Sequence, residues 1–96
     1  MNAFRSAFVA AVLLAAAPAH AQVIDLSTVR CKEFVDSGKD TISAIMMWLE
    51  GYYTDEEDPA IIDFGKTKEK ADQLTSYCAQ NPTVGIMTAA ESVMAK

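Results

Sequence analysis

The chain has 96 residues and a net charge of −5, with eight basic against thirteen acidic side chains. This length supports one small domain, and the acidic balance argues against a nucleic-acid-binding protein. The only histidine is His20, so the sequence from residue 22 onward has no imidazole for catalysis, metal binding or sensing near neutral pH.

The N-terminal segment has the pattern of a secretory signal peptide. Arg5 supplies a positive charge, residues 7–17 form an apolar run, and Ala19-His20-Ala21 is a small-x-small site. The run is too short to span a bilayer comfortably. We therefore predict cleavage after Ala21, which leaves a single domain of residues 22–96 with seven basic and thirteen acidic residues, a net charge of −6.

The chain has two cysteines, Cys31 and Cys78. Export to an oxidising compartment and a core too small to be robust together predict a disulfide between them. The bridge would enclose residues 32–77, and a loop of that length corresponds to about 4 kcal/mol of stabilisation in the chain-entropy model. Neither a C-x-x-C pair nor a single activated thiol is present to suggest redox chemistry.

Residues 22–26 form a short lead-in to a first helix. Ser27 or Thr28 can cap that helix, which would run to about Ser37 and end at Gly38. Its inward-facing residues would be Cys31, Phe34 and Val35.

The second helix, about residues 40–53, is the most informative stretch of the sequence. Apolar residues recur at helical spacing on one face, and Asp40 is placed to cap the first turn. Trp48 and Tyr52, one turn apart, extend the apolar area sideways, and Met47 lies on the back. Core or interface roles both remain open for these three residues. The core-facing set is Ile42, Ile45, Met46, Leu49 and Tyr53.

An acidic segment, Asp55-Glu56-Glu57-Asp58, followed by Pro59, ends this helix. It has two interpretations, a solvated loop or an acid-sensing loop whose conformation changes as the charges are neutralised. Ile61 and Ile62 are then expected to turn back toward the core.

Two further helices complete the chain. The third is predicted over residues 66–80, where Asn81-Pro82 stops it. The last is predicted from a cap at Thr83 to about Ala95. The predicted fold is all-α, a small bundle of about four helices closed by one disulfide. The core-facing residues would be Thr67, Ala71, Leu74 and Cys78 in the third helix and Ile86, Met87, Ala90, Val93 and Met94 in the last.

Features of an enzyme are missing from the sequence. Residues 22–96 have no histidine, and both cysteines are expected to form the disulfide. There is also no Gly-rich phosphate loop, and the acidic residues carry no pocket signature. A calcium site over residues 55–63 would lack the alternating ligands and central glycine of an EF-hand. We expect no catalytic site, no metal and no cofactor.

Three sequence elements together resemble the HdeA/HdeB family of periplasmic acid-stress chaperones. They are Cys31-Lys32-Glu33-Phe34-Val35, the helix around Met47-Trp48-Leu49, and Tyr77-Cys78-Ala79-Gln80-Asn81-Pro82. The resemblance implies a small helical protein with one disulfide, a homodimer when inactive. Acid would loosen it into partly disordered monomers that hold other denatured periplasmic proteins in solution without ATP or metal.

This resemblance and the apolar excess of the second helix define the candidate sites. The pH-responsive candidates are Asp40 and the acidic segment, Asp55, Glu56, Glu57 and Asp58. The expected partners are acid-denatured periplasmic proteins and a second copy of the chain, with no nucleic acid and no membrane. The candidate dimer and client-binding residues are Ile45, Met46, Met47, Trp48, Leu49, Tyr52 and Tyr53.

One departure from the family is visible at the ends of the chain. Better-known members carry lysine-rich termini, whereas residues 89–96 contain one lysine and residues 22–29 none. Two other classes of function remain open. One is a constitutive periplasmic module that binds one defined partner through Trp48 and Tyr52, and the other is a purely structural helical protein.

Overall fold

The computed structural model describes residues 23–95 and contains four helices in that range. The predicted all-α fold is confirmed. The signal-peptide prediction lies outside the described residues. The helices are α1, Cys31–Asp36; α2, Lys39–Tyr52; α3, Phe64–Gln80; and α4, Ile86–Met94.

Helix α1 begins later than the sequence suggested, and the prediction of a cap at Ser27 or Thr28 is wrong. These two residues belong to a turn organised by Asp25. Its carboxylate accepts from the amide and hydroxyl of Ser27 at 3.0 and 2.6 Å, and its carbonyl accepts from Thr28. Local side-chain bonds of this kind compete with helix formation, so the helix starts only after Arg30.

Helix α2 also starts differently from the prediction, because Asp40 is not its cap. Gly38 occupies the N-cap with φ of +93°, a conformation that residues with a Cβ rarely adopt. Asp40 is the second residue of the helix, exposed in its first turn, where a carboxylate still interacts favourably with the helix dipole.

The starts of α3 and α4 differ by a few residues from their predictions. Asp63 caps α3, its carboxylate accepting from the amide of Lys66 at 3.0 Å, and the helix therefore begins at Phe64. Thr83 lies in the turn before α4 and does not cap it, since Gly85 is the N-cap. The predicted stop at Asn81 is confirmed.

Cys31 and Cys78 are joined by a disulfide, as predicted. It connects the first residue of α1 to the last turn of α3 inside the core. Three residues predicted to face inward do not, because Val35, Ile61 and Ile62 are exposed. The buried core consists of Cys31, Phe34, Ile45, Met46, Leu49, Leu74, Cys78, Ile86, Ala89 and Ala90.

Backbone hydrogen bonds join the chain before α1 to the chain before α4. The amide of Cys31 donates to Val84 O at 2.7 Å, and the amide of Ile86 donates to Val29 O at 2.8 Å. With the disulfide, they fix α1, α3 and α4 to one another. Helix α2 is held against this unit by packing of its inner face and by side-chain hydrogen bonds.

Candidate functional site

Helix α2 presents apolar side chains on two sides. Ile45, Met46 and Leu49 are buried in the core, so within the folded chain they cannot contact a partner. Met47, Trp48 and Tyr52 are 44%, 50% and 60% exposed. A helix that only closed a core would have a polar outer side, and these exposed side chains give α2 a second apolar surface.

The aromatic side chains of α2 pack against one another. Trp48 and Tyr52 stack with ring centroids 5.0 Å apart and an interplanar angle of 17°. Tyr53 meets Tyr52 edge-on at 5.1 Å. Such pairs contribute about 0.5–1.5 kcal/mol each beyond the area they bury. The stacking therefore holds the two exposed rings in one arrangement while leaving their outer surfaces open.

A groove of about 500 Å³ runs beside this pair. Its walls are Ala44, Ile45 and Trp48 of α2, Met87 of α4, and residues 24–27, which precede α1. A second groove of about 460 Å³ starts at Met87 and extends past Tyr52, so the two are adjacent. We call the surface formed by Ile24, Trp48, Tyr52 and the half-buried Met87 the aromatic face.

Sequence reasoning missed the contribution of the lead-in to this surface. Residues 22–26 were expected to be a simple approach to the first helix, yet Ile24 and Leu26 line the groove and Leu26 packs against the core. The apolar spacing of Leu26 and Val29 was the available signal.

The candidate pH-responsive residues lie in two separate places. Asp40 is in the first turn of α2, and the acidic segment follows its last turn, so about 20 Å of helix separates them. Within the segment, the carboxylate of Asp58 accepts from the amide of Asp55 at 2.9 Å, and the amide of Asp58 donates to the carbonyl of Asp55 at 3.0 Å. The segment therefore forms a locally closed turn.

Two other carboxylates connect α2 to its neighbours, and sequence reasoning identified neither of them. The two carboxylate oxygens of Glu50 are 2.8 and 2.9 Å from the hydroxyl oxygen of Thr67 on α3. The hydroxyl of Tyr53 donates to Glu91 on α4 over 3.5 Å, and desolvation together with the Glu91 charge raises the pKa of Tyr53. These contacts join residues far apart in the chain.

Asp25 is a third carboxylate with a defined role. Hydrogen bonds from the side chain and the amide of Ser27 lower the pKa of Asp25 below its ordinary value. The same bonds shape the turn that carries Ile24 and Leu26 into the groove. The ionised form of Asp25 is therefore the form that organises this wall of the groove.

Residues 23–95 show no group of three or more potential metal-binding side chains. Among the helices of that range, none combines the length and the apolarity that crossing a bilayer requires.

No curated protein and no solved structure matches the chain. The family model described as HdeA/HdeB matches residues 2–88, which is most of the sequence. The chain therefore belongs to the HdeA/HdeB family, a family of periplasmic chaperones that act under acid stress.

Proposed function

We propose that this protein is an ATP-independent holdase of the periplasm that is activated by acid. At low pH its fold would loosen, expose apolar surface and keep acid-denatured proteins from aggregating. The exported form would be residues 22–96, after cleavage of a signal peptide comprising residues 1–21. Membership of the family supports this function.

The observation that carries the proposal is the way α2 is attached. Its inner face supplies Ile45, Met46 and Leu49 to the core, and its side-chain hydrogen bonds to α3 and α4 involve the carboxylates of Glu50 and Glu91. A carboxylate accepts more strongly when it is ionised. Protonation would weaken both attachments at once and favour release of a large apolar surface.

The charge balance acts in the same direction. Residues 22–96 carry a net charge of −6 near neutral pH. In strong acid the carboxylates are neutral, and seven basic side chains with the α-amino group give about +8. A chain of this size has only a few kcal/mol of stability, so repulsion among the remaining positive charges adds to the loss of the carboxylate contacts.

We propose further that the inactive state near neutral pH is a homodimer formed through the aromatic face. Trp48 and Tyr52 are exposed, stacked on each other and beside a groove, which are properties of interface anchors. Acid would separate the copies, leaving this face and the core face of α2 available to clients.

An alternative function is a constitutive binding module for one defined partner. The specific observation in its favour is that the aromatic face and its groove are already open in the folded chain. Such a module would bind near neutral pH, whereas an acid-activated holdase would bind many unrelated proteins only in acid.

An aggregation assay with several unrelated client proteins across pH 2–7 tests the proposal. We expect suppression of aggregation in acid and little near neutral pH, with Trp48→Ala weakening it and Val35→Ala, a change at an exposed site on α1, leaving it unchanged. Suppression of one client only, independent of pH, would support the constitutive module.

A further inference from the structure

Another apolar surface lies at the end of the loop that joins α2 to α3. Ile61, Ile62 and Phe64 are 72%, 61% and 76% exposed. Isolated exposed apolar side chains are ordinary, but three large ones within four consecutive positions form a contiguous area. We call these three residues the loop patch.

The loop holds the patch outward through hydrogen bonds of its own. Asp55 and Asp58 close one turn, and the amide of Ile61 donates to the carbonyl of Pro59 at 2.9 Å. Asp63 then caps α3 and fixes Phe64 as the first residue of that helix. The exposure of the patch therefore belongs to a defined local structure.

Negative charge lies on the loop side of the patch. Residues 55–63 contain five carboxylates, and no lysine or arginine occurs between Lys39 and Lys66. A groove of about 280 Å³ beside Ile61 is lined on the loop side by acidic residues and on the α3 side by Lys66 and Lys70. Lys70 is engaged, since its ammonium group donates to Val93 O at 3.1 Å.

From this combination we infer that the loop patch binds polypeptide segments in which large apolar side chains lie next to lysine or arginine. Apolar side chains of such a segment would cover Ile61, Ile62 and Phe64, and its cations would face the loop carboxylates. Complementary charge of this kind selects partners and speeds their encounter.

The charge pattern also decides against other occupants. If the loop patches of two copies faced each other, the five carboxylates of one loop would repel the five of the other. Nucleic acids and anionic lipid surfaces are repelled for the same reason. The inference goes beyond the proposed holdase function, because it concerns the folded chain near neutral pH and not the client-binding state in acid.

Binding of a dye-labelled peptide of alternating lysine and leucine tests the inference. Fluorescence anisotropy at pH 6.5 and low ionic strength, with the disulfide-bonded chain, keeps the measurement apart from acid unfolding. We expect binding of this peptide, and much weaker binding of a matched peptide of alternating glutamate and leucine.

Two variants locate the binding. The double change Ile62→Ser and Phe64→Ser removes exposed apolar area and should weaken binding about tenfold. The double change Glu56→Gln and Glu57→Gln should weaken it about threefold and reduce its sensitivity to salt. Matched controls are Val35→Ser for the apolar variant, and Asp36→Asn with Glu69→Gln for the charge variant. Both controls should bind as the parent chain does, and far-UV dichroism checks that every variant is folded.

Equal binding of the two peptides, or variants indistinguishable from their controls, would overturn the inference. So would a loop-patch variant that changed only self-association, since the patch would then be an interface between copies. Aggregation suppression in acid without peptide binding counts against the loop patch alone. Peptide binding without aggregation suppression supports the patch and counts against the holdase function.

Discussion

The hydroxyl of Thr67 lies 2.8 and 2.9 Å from the two carboxylate oxygens of Glu50, joining α3 to α2 across seventeen residues of sequence. Both side chains are partly buried. A hydrogen bond to an ionised acceptor contributes more than one between neutral groups, and partial exposure reduces that contribution. This contact is therefore a specific attachment of α2 to α3.

We predict that Glu50→Gln and Thr67→Val are coupled at pH 7. The coupling should be about 1 kcal/mol, because the hydrogen bond between the hydroxyl and the carboxylate is weakened or lost when either partner is replaced. Urea unfolding of both single variants, the double variant and the parent measures it. Glu69→Gln, an exposed change on α3, serves as control. Additive effects of Glu50→Gln and Thr67→Val would show that this bond does not hold α2 to α3.

Asp25 gives a second, local pH dependence. Its pKa is lowered first by the side-chain hydrogen bond from Ser27 and then by the Ser27 amide. A group with a depressed folded-state pKa stabilises the fold above its unfolded value, and that contribution is lost as pH falls through the folded value. We therefore expect the turn that carries Ile24 to loosen at a pH below the ordinary titration of aspartate.

NMR titration of the Asp25 carboxyl carbon measures this pKa directly. Ser27→Ala should raise it toward the ordinary value, since the largest cause of the shift is removed. Ser43→Ala, an exposed change on α2, should leave it unchanged. An Asp25 titration that Ser27→Ala does not alter would contradict the hydrogen-bonded turn.

Adjacent residues of α2 should affect different properties when replaced by alanine, stability at Leu49 and self-association at Trp48. Leu49 is fully buried, so Leu49→Ala should lower the free energy of unfolding by about 2–5 kcal/mol. Trp48 is half exposed, so Trp48→Ala should lower the free energy of unfolding by about 1 kcal/mol, chiefly through loss of its stack with Tyr52.

Trp48→Ala should also weaken self-association, measured by sedimentation at micromolar concentration. Far-UV dichroism should show little loss of helix content in this variant. A parent chain that is monomeric at this concentration would refute the proposed dimer face.

The disulfide should account for a large share of the stability. Cys31 and Cys78 are 47 positions apart, and the chain-entropy model gives about 4 kcal/mol for a loop of this size. We expect reduction to unfold the domain at or near room temperature. Circular dichroism with and without reductant measures this unfolding.

Thiol titration of the denatured, unreduced protein at pH 7 and after acid exposure should find no free thiol, because thiol–disulfide exchange requires a thiolate. Two reactive thiols would contradict the bond.

The sequence predicted those features that depend on neighbouring residues or on a strong constraint. Helical spacing identified Ile45, Met46 and Leu49 as the inner face of α2, and two cysteines in a small domain implied their bond. The later start of α1 was missed because the Asp25 turn competes with the helix for the same backbone groups.

Other features depend on tertiary contacts that one sequence does not contain. The bond between Glu50 and Thr67 and the contact between Tyr53 and Glu91 arise only when α2 packs on its neighbours. Ile61 and Ile62 were expected inside because they are apolar. The loop that carries them forms hydrogen bonds within itself, and both side chains stay exposed. Their exposure is the basis of the loop patch.

The last prediction concerns the acid transition as a whole. Between about pH 5 and 2 the chain loses negative charge, and contacts that depend on an ionised carboxylate weaken, the turn at Asp25 among them. We expect hydrophobic-dye binding to rise over this range while far-UV dichroism falls only in part, because the disulfide keeps α1 and α3 together. Glu50→Gln should shift the rise in dye binding toward higher pH, since one attachment of α2 is already weakened, and Glu69→Gln should not.

If the dye signal stays flat while client aggregation is still suppressed, exposure of apolar surface is not the mechanism. If neither dye binding nor aggregation changes with pH, the constitutive module through Trp48 and Tyr52 becomes the better account, because its surface is open without any acid transition.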